Sequence, residues 1–279
     1  MPHGKYDGVG FVLGFADLRR EREALGTSTD SRSDACRRCS KPYPASMAFA
    51  FQPIVDVSSR SIWAYEALVR GASGEPAAQV LGQVTPETRY AFDQACREGS
   101  IRAAAQLGMT TRLHINFMPN AVYEPERCLE TTLRVASEVG FDLARIVFEV
   151  VESEHIRDTQ KLKDIIRTYR RHGFLTALDD FGAGSSGLNT LADFQPDLIK
   201  LDIHLIRGID LDPVKEAIVR AVLGLAETLR IAVLAEGVET AGEARCVAGL
   251  GIRLMQGYYF AKPAFSALPT VAESAWSFD

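Results

Sequence analysis

Five short β-rich runs in this 279-residue chain end in side chains able to carry charge or hold an ion. Arg112-Leu-His-Ile-Asn116 ends in an amide, Ile146-Val-Phe-Glu149 in a carboxylate, and Phe174-Leu-Thr-Ala-Leu-Asp-Asp180 in two carboxylates. Leu198-Ile-Lys200 brings a lysine, with Asp202 following, and Ile231-Ala-Val-Leu-Ala-Glu236 closes on a further carboxylate. Any one of these residues reads as a helix cap or as the partner of a nearby cation. Gathered in one place, the carboxylates would have to raise one another's pKa values or bind cations. The donor set is all oxygen, which suits Mg²⁺ or Mn²⁺ rather than zinc. Adjacent Asp179 and Asp180 would face opposite ways in a regular strand. At a strand end, with Gly182 and Gly184 turning the chain, both can reach one cavity. One aspartate bridging two ions while its neighbour holds the second would make a two-metal site, with ~4 Å between the ions. Lys200 in that setting is either a structural ion partner or a group that positions or deprotonates a nucleophilic water.

The elements that must position these residues follow from the hydrophobic pattern. Strands are expected at Ala48–Val55, Ile62–Val69, Arg112–Phe117, Arg145–Val150, Phe174–Asp179, Asp197–Leu201 and Ile231–Glu236. Amphipathic helices are expected between them, among others at Arg89–Gln106, Pro125–Glu138, Gln160–His172 and Pro213–Leu229. Pro125 and Pro213 suit first helical turns, and Gly140 and Gly173 suit helix ends. From Arg112 onward, strand and helix alternate at roughly thirty-residue intervals, the size of a βα unit. Seven or eight such strands close a (β/α)8 barrel of ~250 residues, with all strand carboxyl ends on one face. Asn116, Glu149, Asp179, Asp180, Lys200 and Glu236 would then line one cavity. A doubly wound open sheet fits the alternation too, but no Gly-rich phosphate loop follows its first strand.

Composition bounds the alternatives. A chain 47% hydrophobic and 24% charged is neither disordered nor fibrous. Its net charge of −5 argues against bulk attraction to DNA or anionic lipid. No window approaches the ~20 apolar residues of a membrane span, and Val9–Phe15 lacks the basic flank of a secretory signal. Five cysteines, three of them inside helical patterns, point away from a disulfide framework and toward the reducing cytoplasm. Residues 1–45 read as an extension: a short helix over Phe15–Leu25, the polar linker Gly26–Asp34, then Cys36-Arg-Arg-Cys39. That CxxC is half a zinc site at best, and two free thiols is the simpler reading. Residues 46–268 form the expected domain and 269–279 a tail.

The motifs Phe51-Gln-Pro-Ile-Val55, Glu66-Ala-Leu-Val-Arg70, Asn116, Phe148-Glu-Val-Val-Glu152, Asp179-Asp-Phe-Gly-Ala-Gly184, Ile199-Lys-Leu-Asp202, Ala235-Glu-Gly-Val-Glu239 and Gln256-Gly-Tyr-Tyr-Phe-Ala-Lys-Pro263 occur in this order. Together, from about Met47 to Pro263, they resemble the EAL family of cyclic di-GMP phosphodiesterases, here as a stand-alone domain. The resemblance implies an α/β fold, a modified TIM-type barrel whose first strand runs antiparallel. It implies two divalent cations, Mg²⁺ or Mn²⁺: Glu66, Asn116, Glu149 and Asp179 at one, Asp179, Asp180 and Glu236 at the other. Lys200 would act on the nucleophilic water, in a catalytic group with Glu66, Asp179 and Glu152. Glu152 would also steady the loop from Asp180 to Gly187. Gln52, Leu68, Arg70 and Gln256, with Asp202 and Glu239, correspond to the substrate side. The implied reaction opens cyclic di-GMP to linear pGpG. Two departures stand out: Ser185-Ser186 where many members carry an aromatic, and Val151 where threonine is usual. Neither removes a ligand.

The implied partners are the dinucleotide, a second copy of the chain, and a regulatory protein not identifiable from sequence. A second reading keeps the fold but makes it a receptor that binds cyclic di-GMP or a regulator without hydrolysis; degenerate relatives of that kind lack carboxylates that are all present here. An enolase-like barrel also places carboxylates and a lysine on successive strands. It needs a capping domain that 45 mostly polar residues cannot supply.

Overall fold

The computed structural model describes residues 42–122, 124–151, 159–184 and 187–278. Eight strands make the barrel: β1 (Met47–Asp56), β2 (Ser61–Gly71), β3 (Arg112–Asn116), β4 (Ile146–Val151), β5 (Leu175–Phe181), β6 (Leu198–Leu201), β7 (Ala232–Ala235) and β8 (Leu254–Met255). They pair in chain order from β2 to β8, then β8 pairs with β1 and β1 with β2, so the sheet closes. β2 to β8 are parallel, and β1 is antiparallel to both neighbours. The mixed barrel with a reversed first strand is the architecture that the resemblance implied. A ninth strand, β9 (Ala264–Phe265), adds to β1.

β1 is buried from Phe49 to Asp56, so it reads as one apolar run rather than an alternation. On the side away from β2 it pairs with β9 through Ala50 and Phe51 and with β8 through Val55 and Asp56. Pro53, with no amide hydrogen to donate, falls between those two ladders. The helices are α1 (Ala77–Leu81), α2 (Arg89–Gln106), α3 (Pro125–Val139), α4 (Thr159–Arg171), α5 (Gly187–Asp193), α6 (Ile203–Ile206), α7 (Pro213–Leu229) and α8 (Ala241–Gly249). Pro125 and Pro213 occupy first turns, and Asp212 caps α7 by accepting from the amides of Val214 and Lys215. Gly140 ends α3 at φ 69°, a left-handed conformation that suits glycine.

Between strands and helices, Phe117, Phe148, Tyr169 and Phe174 pack with ring centroids 4.7 to 6.1 Å apart. Phe148 points outward into this cluster, so the two-residue period turns Glu149 into the barrel. A buried ion pair, Arg97 to Asp93 at 2.9 Å, ties α2 to its surroundings. Asp93 accepts from the amide of Met118 at 2.8 Å, just beyond β3, and Arg97 donates to the carbonyl of Cys128 in α3 at 3.0 Å. Near the C-terminus, Tyr65 donates to the carbonyl of Pro269 and Arg245 to that of Phe278. The expected helix Phe15–Leu25, Cys36, Cys39, Glu152 and Ser185-Ser186 lie outside the described residues.

Candidate active site

Strands β3 to β8 each deliver a polar residue near or just beyond the carboxyl end, whereas Glu66 lies midway along β2. Glu149 lies near the end of β4, Lys200 near the end of β6, and Glu236 immediately after β7. Gln256 immediately follows β8. β1, running the other way, sets Gln52 directly opposite Glu66 of β2. Glu66, Leu68 and Arg70 share one face of β2 by the two-residue period.

Asp179 and Asp180 solve the problem of adjacency by a local irregularity. Asp180 adopts φ 55°, and the β5–β6 register shifts between Leu178 and Phe181. A left-handed residue at a bulge re-aims the strand, so both aspartates meet the same group of carboxylates. The amide of Asp180 donates to Asp179 Oδ1 at 3.0 Å. Gly182, expected to turn the chain, does so at φ 99°, where an added Cβ would lie 2.5 Å from Leu205 Cδ1.

Lys200 is the hub. Its side chain is 1% exposed, and Nζ lies 2.8 Å from Glu236, 2.9 Å from Asp179, 3.0 Å from Glu149 and 3.8 Å from Glu66. Burial opposes its charge, but Asp179, Glu149, Glu236 and Glu66 outweigh burial and hold the ammonium well above the usual lysine value. Glu66 is fixed from two sides: Asn116 Nδ2 donates to Oε1 at 3.0 Å and Gln256 Nε2 to Oε2 at 2.7 Å. Gln256 also reaches Gln52 Oε1 at 3.3 Å, and Gln52 donates to the carbonyl of Ala261 at 3.1 Å.

Among the described residues the cluster carries more negative charge than its one cation neutralises. Glu66, Glu149, Asp179, Asp180 and Glu236 face the Lys200 ammonium, leaving four negative charges if all are ionised, the amount two divalent ions balance. Burial holds Glu149 and Glu236 well above the usual carboxylate range, against the pull of Lys200. Burial, followed by the charge of Asp179, pushes Asp180 up to about 6. Two sets of carboxylate oxygens lie within 4.8 Å of one another: Glu66, Glu149 and Asp179, and Asp179, Asp180 and Glu236. They share Asp179. Glu149 Oε2 is buried with no hydrogen-bond partner among the described residues, an orphan that a cation would satisfy. The donors fit hard divalent ions.

The remaining sequence candidates are placed differently. Asp202 caps α6, accepting from the amide of His204 at 2.8 Å and facing His204 Nδ1 at 2.6 Å. Glu239 pairs with Arg207 at 2.5 Å, outside the carboxylate cluster. Leu68 and Arg70 are half-buried near the end of β2, and Arg70 donates to the carbonyl of Val69. One contributor escaped the sequence reading. His114 is buried, with Nδ1 2.6 Å from Glu149 Oε1. It stands two residues before Asn116 on β3, so strand periodicity alone puts it on the ligand-bearing face.

The EAL domain family model matches residues 44–263, most of the chain. This chain belongs to the EAL family. Among curated relatives of this EAL protein, the blue light- and temperature-regulated antirepressor BluF of Escherichia coli is 32% identical over 225 residues, 80% of this chain and 56% of that one. The cyclic di-GMP phosphodiesterase PdeR of Escherichia coli is also 32% identical, over 76% of this chain and 32% of its own length. The EAL protein thus spans between about a third and a little over half of these relatives. A standalone versatile EAL protein of Vibrio cholerae, solved with c-di-GMP bound, is 47% identical, with TM-score 0.81 over 84% of this chain and 99% of that one. BlrP1 of Klebsiella pneumoniae, solved with manganese and cyclic diGMP, is 34% identical, with TM-score 0.75 over 81% of this chain and 58% of that one.

Proposed function

We propose that this EAL domain hydrolyses one phosphodiester of cyclic di-GMP to give linear pGpG, using two divalent cations, Mg²⁺ or Mn²⁺. The observation that carries the reading is the pair of carboxylate sets sharing Asp179, with one buried oxygen of Glu149 left unpaired. Glu66, Asn116, Glu149 and Asp179 would hold one ion, and Asp179, Asp180 and Glu236 the other. Bound there, the ions would neutralise the phosphoryl oxygens and supply a nucleophile at neutral pH.

The protein's own part follows from its charges. Lys200, within 3.0 Å of Glu149, Asp179 and Glu236, offsets carboxylate charge and acts on the attacking water, positioning or deprotonating it. Asn116 and Gln256 direct their amide hydrogens at Glu66 and fix its rotamer. Gln52, Leu68 and Arg70, with Asp202 and Glu239, are assigned to the substrate side; a guanidinium suits a phosphate there. Glu152 completes the assigned catalytic group. Water adds to phosphorus, the bond to one ribose oxygen breaks, and that oxygen leaves as a hydroxyl.

Cys96, Cys128 and Cys246 form no disulfide among the described residues, and we assign the protein to a reducing cytoplasm, acting as a homodimer. Among the described residues no helix is long and apolar enough to cross a membrane. A second reading has one observation in its favour: BluF is named an antirepressor, which suits a domain that binds a protein without turning over the dinucleotide. Incubating the full chain with cyclic di-GMP and Mg²⁺ or Mn²⁺, followed by chromatography, separates the two. Conversion to pGpG by wild type and not by Glu66→Ala supports the enzyme. Binding without conversion under either metal supports the antirepressor-like reading.

A further inference from the structure

Building on the proposed two-ion site, we infer that His114 is a positioning residue that fixes which oxygen of Glu149 faces the cation. Its ring is fully buried on β3, and Nδ1 lies 2.6 Å from Glu149 Oε1. The same Oε1 receives Lys200 Nζ at 3.0 Å. Oε1 therefore already has two protein partners, while buried Oε2 has none among the described residues. A carboxylate that ligates a cation is ionised and can only accept hydrogen bonds. With a cation at Oε2, the His114–Glu149 contact has one consistent polarity: His114 carries its proton on Nδ1 and donates it to Oε1. Nε2 has no hydrogen-bond partner among the described residues, so Nδ1 makes the ring's hydrogen bond.

The ring is held in this pose from behind. Trp63 packs edge-on against it with centroids 5.4 Å apart, and the Arg112 guanidinium lies 4.7 Å over the Trp63 ring. The backbone leaves little choice of direction either. His114 pairs in register with Val147, and Asn116 with Glu149, so histidine and glutamate occupy neighbouring strands on the same interior face. Hydrogen-bond partners of metal ligands typically contribute 10–100-fold to metal affinity by orienting the ligand. Lys200 alone could hold Oε1, but it is shared with Asp179 and Glu236. Among the described residues, His114 is the partner that serves Glu149 specifically.

The test measures Mn²⁺ affinity by electron paramagnetic resonance on the full chain, with folding checked by circular dichroism. His114→Leu removes the donor and is expected to weaken binding by roughly 10–100-fold. In His114→Asn the side-chain amide nitrogen takes the place of Nδ1, and affinity is expected within about threefold of wild type. Equal affinity in wild type and His114→Leu overturns the assignment. So does equal loss in the Leu and Asn variants, which would mark a packing effect. Should either variant fail to fold, the wild type answers directly: ¹⁵N-histidine correlations of the Mg²⁺-loaded protein should show a proton on His114 Nδ1, and a proton on Nε2 with Nδ1 bare overturns the proposal. Wild-type protein that takes up no Mn²⁺ refutes the metal reading, and the His114 assignment with it. A failure confined to the variants leaves that reading standing.

Discussion

Replacing Lys200 by methionine keeps much of the side-chain volume and removes the charge at the centre of the cluster. In the metal-free protein its ammonium lies within 3.0 Å of Glu149, Asp179 and Glu236. At an effective dielectric near 20, each such contact has a gross attraction of about 6 kcal/mol. Desolvating the ions cancels most of that, and removing one partner of a buried pair typically costs about 3–5 kcal/mol. Three carboxylates lose their partner here, so the upper part of that range is expected at pH 8 in EDTA. For a domain of this size, about 1 kcal/mol shifts Tm by roughly 2–4 °C, which gives a drop of roughly 10–20 °C. Two remedies should shrink the drop: acidification to about pH 5, which protonates the carboxylates, and saturating Mg²⁺, which replaces the missing charge. Calorimetry or thermal fluorescence on wild type and Lys200→Met across those conditions reads the effect. A Tm within about 2 °C of wild type in EDTA at pH 8 would refute the account, since the carboxylates would then not depend on the ammonium. A large drop unchanged by acid and by Mg²⁺ would point to packing instead.

The metal-free wild type should itself gain stability on mild acidification. Asp180 is raised from 3.8 to about 6, so the folded state holds its proton more tightly than the unfolded state. That contribution is present below the unfolded value and is lost as pH rises through about 6; Glu149 and Glu236 act in the same direction. Saturating Mg²⁺ should reverse the slope, because the cation selects the ionised forms. A metal-free Tm that rises steadily between pH 5 and pH 7 would count against this. Gly257→Ala should destabilise the fold and disturb Gln256, because the added Cβ would stand 1.9 Å from the carbonyl oxygen of Val238. Near-wild-type Tm and turnover would show that this loop gives way easily. Arg97→Met should cost about 3–5 kcal/mol in denaturant unfolding by leaving Asp93 buried and unpaired, with the further Asp93→Leu change recovering part of the loss. A double variant no more stable than Arg97→Met would show that charge is not the cause.

How much of this was legible depends on what a pattern of residue types can encode. The parallel arc was readable because strands buried on both faces are apolar throughout, so a polar residue at each end stands out. Glu149, Lys200 and Glu236 fall where that logic placed them. The direction of β1 was not readable this way: the apolar run Phe49 to Val55 looks the same in either direction, and only the family resemblance implied its reversal. β8 has two residues, Leu254 and Met255, too few to show any period. The bulge at Asp180 is likewise silent, since a left-handed φ at a non-glycine residue leaves no mark in composition. Gly182 does turn the chain, but Asp180 itself breaks the alternation. His114 was legible in principle from its spacing to Asn116. Strand ends alone do not reveal it, because the period of two makes residues before the end equally part of the interior.

The reversed strand matters to the chemistry. A parallel strand between β8 and β2 would offer its carboxyl end and one terminal residue to the open face. Running antiparallel, β1 instead passes Gln52 across the site beside Glu66, with two ladders leaving Pro53 between them. Gln256 then bridges Gln52 and Glu66 by one amide group. That chain of neutral amides sits at the seam of the barrel, while every charged member of the cluster except Glu66 comes from β4 to β7. Neutral donors can fix Glu66 without supplying any of the positive charge the carboxylates require. Lys200 supplies one unit of that charge. Among the described residues no second cation reaches the cluster, which is the physical reason for proposing two divalent ions at this end of the barrel.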